Sequence, residues 1–129
     1  MLKMNISDII NIFIVILIFT MIILFITYLL SPTKKSNSIN ANNAKELIKQ
    51  NHFDYIIDIR NNKDWNNGHY PGAIHIPFDV FYKQIIYYKK DSNFLIYSKN
   101  GEFARIVVLF MKKNGFKNVK YLNTSYTTL

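Results

Sequence analysis

An α/β domain with a mainly parallel central sheet flanked by helices, carried behind one membrane-spanning helix, is the architecture this sequence predicts. Two observations predict it. An almost unbroken apolar run fills the amino-terminal quarter, from Ile9 to Leu30. Beyond it, apolar runs of strand length alternate with stretches in which apolar residues recur at helical spacing. Such alternation along a chain builds a sheet whose strands run parallel and whose connections are helices.

The first run is interrupted only by Asn11, Thr20 and Thr27. As a helix it extends roughly 33 Å, enough to cross a hydrocarbon core of about 30 Å. Its apolar side chains outweigh one Asn and two Thr by several kcal/mol, and Tyr28 stands where an interfacial aromatic belongs. The competing reading is a cleaved signal peptide. That would have a shorter apolar core and small residues at a cleavage site, whereas this run ends in Leu29-Leu30-Ser31-Pro32-Thr33. The chain therefore divides into a short tail (1–8), a membrane helix (9–30), a polar linker (31–43) and a domain (44–129).

Within the domain, Asn43 and Glu46 read as a capping box, with Ala44, Leu47 and Ile48 as the apolar stripe of the helix that follows. Tyr55 to Ile59 predicts a buried strand, and Ala73 to Ile76 a second. Asp79 then caps a helix carrying Phe78, Phe81, Tyr82, Ile85 and Ile86. Phe94 to Tyr97 is a third strand. Phe103, Ile106, Val107, Phe110 and Met111 follow the i, i+3, i+4, i+7, i+8 pattern, predicting a helix over 102–114 whose apolar stripe includes Phe103. Lys112, Lys113 and Gly115 suit its carboxyl end. Val119 to Leu122 is the last strand.

Composition limits the chemistry. Cysteine is absent, which removes disulfides, thiolate metal sites and thiol catalysis together. His52, His69 and His75 have no zinc-ligand spacing, so no metal and no cofactor is expected. The formal charge is +8, but fourteen of the sixteen basic residues are lysines scattered singly or in pairs. That distribution fits a solvated surface better than a nucleic-acid footprint.

Two stretches carry a family resemblance. In the first, Asp58-Ile59-Arg60 is followed by Asp64-Trp65, then by Gly68-His69-Tyr70-Pro71-Gly72-Ala73-Ile74-His75-Ile76-Pro77. This resembles the rhodanese superfamily pattern of D-x-R, an acidic-aromatic pair, and G-H-I-P-G-A-x-x-I-P. The second, Leu95 to Leu122, resembles the family's active-site strand, loop, helix and last strand. Physical roles follow from residue type: Gly68 and Gly72 permit a tight reversal with Pro71 fixing φ between them. Asp58 and Arg60, two apart on a strand end, face the same side and suit an ion pair holding the neighbouring loop. His69 suits a hydrogen-bonded buckle in the turn. Past Leu122 the resemblance implies a Gly-Gly turn and a short aromatic-bearing helix, a pattern that 123–129 does not show.

The resemblance also implies a catalytic loop of form C-R-x-G-x-R, whose cysteine carries sulfur as a persulfide among loop amides and a helix dipole. Here the loop reads Ser98-Lys99-Asn100-Gly101-Glu102-Phe103. Serine oxygen cannot hold a transferable sulfur, Glu102 adds a carboxylate, and Phe103 stands where an anion-binding arginine is implied. A serine hydrolase at Ser98 would need His69 or His75 as base and Asp58 as orienting acid, yet no G-x-S-x-G elbow surrounds it. The expectation is a catalytically inactive, membrane-tethered module that binds a protein partner through the former catalytic cradle, with helix amides at 102 onward available. Enzymes of altered chemistry, by serine or by a partner's thiol, are the alternative. Lys34, Lys35, Lys45 and Lys49 outnumber Lys3 before the helix, predicting a cytoplasmic domain.

Overall fold

The computed structural model describes residues 3–30 and 37–129, in two compact units on either side of residue 35. Most of the expected linker, with Pro32, Lys34 and Lys35, lies outside the described residues. The first unit is a single helix, α1 (Ile6–Leu30), the one helix among the described residues long and apolar enough to cross a membrane. It begins three residues before the apolar run, because the Asp8 carboxylate accepts the Asn5 N–H at 3.1 Å and organises an extra first turn. Thr20 and Thr27 donate their hydroxyls to the carbonyls of Leu17 and Leu24, both at 2.8 Å. Each thus satisfies its polar group within the helix, which lowers its cost in an apolar medium.

The second unit is a five-stranded sheet in which every strand pair is parallel, ordered β1-β5-β4-β2-β3. The elements run β1 (Ser38–Ile39), α2 (Ala41–Lys49), β2 (Tyr55–Asp58), α3 (Asn62–Asn66), β3 (Ile74–His75), α4 (Phe78–Gln84), β4 (Asn93–Tyr97), α5 (Glu102–Lys113) and β5 (Asn118–Leu122). A 3-10 turn over Ile85–Tyr87 extends α4, and another over Tyr126–Thr128 ends the chain.

β4 occupies the centre, and its alternating side chains divide the core. Phe94 and Ile96 face α4 and α5, where Phe81, Ile85, Ala104, Val107, Val108 and Met111 are buried. Leu95 and Tyr97 face the other way, with Ala44 of α2, Ile39 and Leu122. The sheet is covered on both faces, as a parallel sheet requires.

Four sequence expectations need correction. The linker does not extend to 43: Ile39 is buried, and β1 pairs in register with Tyr121 and Leu122 of β5. The first domain helix is capped by Asn40, whose side chain accepts the Asn43 N–H at 2.9 Å, so Asn43 lies within the helix and no capping box forms with Glu46. Asp79 lies inside the first turn of α4, with Pro77 at the cap position, where a fixed φ suits helix entry. The implied loss of an aromatic carboxyl-terminal element is also overturned, since the last 3-10 turn brings Tyr126 against Tyr97 with ring centroids 5.4 Å apart.

Candidate functional site

The carboxyl ends of the three strands β2, β3 and β4 lie side by side, with Asp58 opposite both His75 and Tyr97 in the ladder. That edge is where an open parallel sheet leaves a crevice for ligands. The Asp58 side chain is fully buried and takes a bidentate grip on Arg60: Nε donates to Oδ1 and Oδ2 at 3.0 Å, and Nη2 to Oδ2 at 2.6 Å. Nη2 also donates to the Gly68 carbonyl at 2.8 Å, tying the turn to the strand end. Below the guanidinium lies the Tyr126 ring, at 4.4 Å from its centroid. Burial opposes the Arg60 charge, but the Asp58 carboxylate outweighs it and holds the guanidinium pKa above its ordinary value.

The turn that Arg60 grips reverses through Gly68, Pro71 and Gly72. Gly68 has φ +137°, a conformation that favours glycine, and a Cβ there would meet the Tyr126 hydroxyl at 2.9 Å. His69 points Nδ1 at the Trp65 carbonyl at 3.1 Å, and its ring stacks on Trp65 with centroids 3.5 Å apart. His75 stacks on the same indole at 4.6 Å, while its Nε2 meets the Arg60 carbonyl at 2.9 Å. Tyr97 is fully buried and its hydroxyl accepts the Tyr70 N–H at 3.1 Å. Burial pushes its phenol pKa well above the ordinary value, with Asp58 adding to the effect.

Ser98 directly follows β4 and is only 2% exposed. Its Oγ accepts two backbone N–H groups, from Gly101 at 3.1 Å and Ala104 at 3.3 Å. Gly101 makes this possible by entering the left-handed region at φ +88°, with Leu122 and Asn123 so near that a Cβ would sit 3.0 Å from each. The Glu102 N–H is taken by the Asn100 side chain at 3.3 Å. The expectation that amides at the start of α5 remain available is therefore corrected for Gly101, Glu102 and Ala104.

A cavity of about 300 Å³ opens beside Ser98, lined also by Ile59, Arg60, Asn61, Asp64, Phe78, Lys99 and Phe103. A second hollow of about 460 Å³, bordered by Asn62, Pro77, Asp79 and Val80, shares Ile59, Asn61 and Phe78 with it. Phe103 is not core, as its helical spacing implied: it is 52% exposed and meets Phe78 edge-on at 4.9 Å. Buried positions of α5 are instead Ala104, Val107, Val108 and Met111. Neither histidine considered as a base lines the cavity, because both are held on Trp65; the Ser98–His–Asp58 arrangement does not form. Sequence reasoning missed Asn61, Asn62 and Phe78 as pocket residues. Asn61 carried one signal, as it caps α3 by accepting the Asp64 N–H at 2.8 Å.

A parallel sheet, a loop wrapped on a helix start at its central strand and a buckled turn beside it define the class. The rhodanese-like domain model matches residues 40–128, and the chain belongs to that family. A tRNA uridine(34) hydroxylase of Photorhabdus laumondii is 28% identical over 97 residues, covering 70% of this chain and 27% of that protein. One from Yersinia pestis is 31% identical over 72 residues, 51% of this chain and 20% of that protein. The chain thus spans about a quarter of the length of these curated relatives. Among solved structures, a Staphylococcus saprophyticus protein is 27% identical with TM-score 0.58, covering 68% of this chain and 85% of that one. A human single-domain sulfurtransferase, 14% identical with TM-score 0.63, covers 72% of this chain and 94% of that one and bears on fold alone.

Proposed function

We propose that this chain is a membrane-tethered rhodanese-like module without sulfur-transfer chemistry of its own, whose former catalytic pocket receives a protein partner on the cytoplasmic side. The observation that carries the reading is the state of Ser98. Its oxygen is buried and both lone pairs accept backbone N–H groups, so it is neither a persulfide carrier nor a free nucleophile. Ile59, Phe78 and Phe103 give the pocket an apolar lining, and Asn61, Asp64 and Lys99 supply the polar groups that orient a bound side chain. The hydroxylation named for the matched tRNA enzymes belongs to proteins of which the matched segment is 27%.

The direct test is thiosulfate:cyanide sulfurtransferase assay of the full chain. No turnover above background is expected; turnover would overturn the reading. Ser98→Cys with Phe103→Arg restores both the nucleophile and the anion clamp, and a gain of activity is expected. Proximity labelling at the native membrane, compared with a Phe78→Ser, Phe103→Ser chain, identifies a partner that depends on the pocket.

A further inference from the structure

Rings run from the pocket down the outer face of the domain. Phe103 meets Phe78 at 4.9 Å, Phe78 meets Tyr82 at 5.7 Å, and Tyr82 meets Phe110 at 4.6 Å, all edge-to-face. Beside them α5 turns Phe103, Ile106 (42% exposed) and Leu109 (51% exposed) to solvent, one turn apart. Ile86 and Tyr87, just past α4, are also exposed. A helix that buries Val107, Val108 and Met111 on one side thus keeps a second apolar face uncovered.

Charge is graded along this face. Asp79 and Glu102 occupy the first turns of α4 and α5, while Lys83, Lys112 and Lys113 occupy their last turns. Lys90 lies against the end of α5, its side chain 3.6 Å from the Cβ position of Gly115. Lys112 reaches the carbonyl of Lys117, whose own ammonium pairs with Asp91 at 2.8 Å. Residues 37–129 hold thirteen Lys and Arg against seven Asp and Glu. Aromatic and aliphatic side chains mixed with lysines are the composition that settles into the headgroup region of an anionic bilayer.

We infer that the α4–α5 face, with its lysine-bearing end, docks on the surface of an anionic bilayer. The inference rests on the reading of α1 as a membrane anchor. Seven residues separate Leu30 from Ser38, a reach of no more than roughly 27 Å. Such a tether holds the domain at high effective concentration beside the headgroups, so a weak surface suffices. Docking is expected to leave the crevice near Ser98 at the acidic end of the face, nearest Glu102 and Asp79.

The lack of native cysteine gives a clean test, because one introduced thiol labels uniquely. The full-length Leu109→Cys chain, carrying a nitrobenzoxadiazole label, is reconstituted in phosphatidylcholine vesicles with or without phosphatidylserine, and quenching by brominated acyl chains is read. Quenching is expected with phosphatidylserine, fading at high salt, and absent for the same label at Lys45→Cys on α2, across the sheet. Lys83→Gln with Lys113→Gln should weaken docking roughly fivefold for each charge removed. Unquenched label in a chain that resists alkaline carbonate extraction overturns the docking while leaving the anchor. Release by carbonate overturns the anchor reading and the docking with it. A blue shift that depends on protein density but not on phosphatidylserine assigns the face to a second copy and also overturns the inference.

Discussion

Arg60 is the residue on which the turn depends. It answers a fully buried carboxylate, holds the Gly68 carbonyl and lies on an aromatic ring. Arg60→Ala leaves Asp58 buried and unpaired, and a loss of about 3–5 kcal/mol is expected in chemical unfolding. Arg60→Lys is expected to recover only part, since an ammonium cannot make the bidentate contact. Tyr97 sets an alkaline limit. Its folded pKa is raised, so the unfolded chain ionises first, and the stability it contributes is complete below about pH 10 and falls as pH rises beyond it. Tyr97→Phe should flatten that limb in unfolding curves taken between pH 9 and roughly pH 12. At Ser98, Ser98→Cys would place the only thiol of the chain among the Gly101 and Ala104 amides. Alkylation rates against pH should then give a pKa below the ordinary thiol value of about 8.5, because N–H donors favour thiolate. The Asp58–Arg60 pairing was legible from two charges spaced by two on a strand end. The engagement of the Ser98 oxygen was not, because it depends on the fold of Gly101.

At the scale of elements, what could be read from sequence tracks the strength of a repeating pattern. β2, β4 and β5 are compact apolar runs and α5 has a full helical period, so each was legible. β1 was not, since two residues with one buried isoleucine carry no periodicity. α3 hides in the polar run Asn62–Asn66, and its signal is the cap at Asn61. Three asparagines near the start of α2 compete for one cap, and the choice of Asn40 follows from where β1 ends. Eight apolar residues crowd α5, so the pattern alone does not tell which face meets the sheet, and Phe103 falls on the exposed one. The cap and loop contacts give measurable effects. Asn40→Ala is expected to cost about 1 kcal/mol in thermal unfolding. Gly101→Ala should cost more, at least about 1–2 kcal/mol, because a left-handed φ and 3.0 Å contacts to Leu122 and Asn123 act together.

For the whole molecule, each unit explains itself. The second buries a two-sided core around a parallel sheet, and among its described residues no buried side-chain nitrogen or oxygen lacks a partner. The first buries none of its side chains, and its most apolar 18-residue stretch has a mean hydropathy of 3.2, long and apolar enough to cross a membrane. Deleting residues 1–30 is expected to move the chain from the alkaline-carbonate pellet to the supernatant while leaving the far-UV circular dichroism of the parallel α/β unit. The fold class was the most legible property, because alternation of strands and helices is spread over the entire domain. The pocket was the least, since Ile59, Asn61 and Phe78 meet only through the crossing of β2, α3 and α4.

The stack of His69 and His75 on Trp65 has a spectroscopic consequence. The chain contains a single tryptophan beside nine tyrosines, so emission excited selectively at the red edge of the indole absorption comes from one ring stacked on two imidazoles in the turn that Arg60 secures. Fluorescence will report the opening of that turn, while circular dichroism reports the sheet and helices. Where the two signals part company in a denaturation series, the separation measures how far the pocket wall yields before the core does.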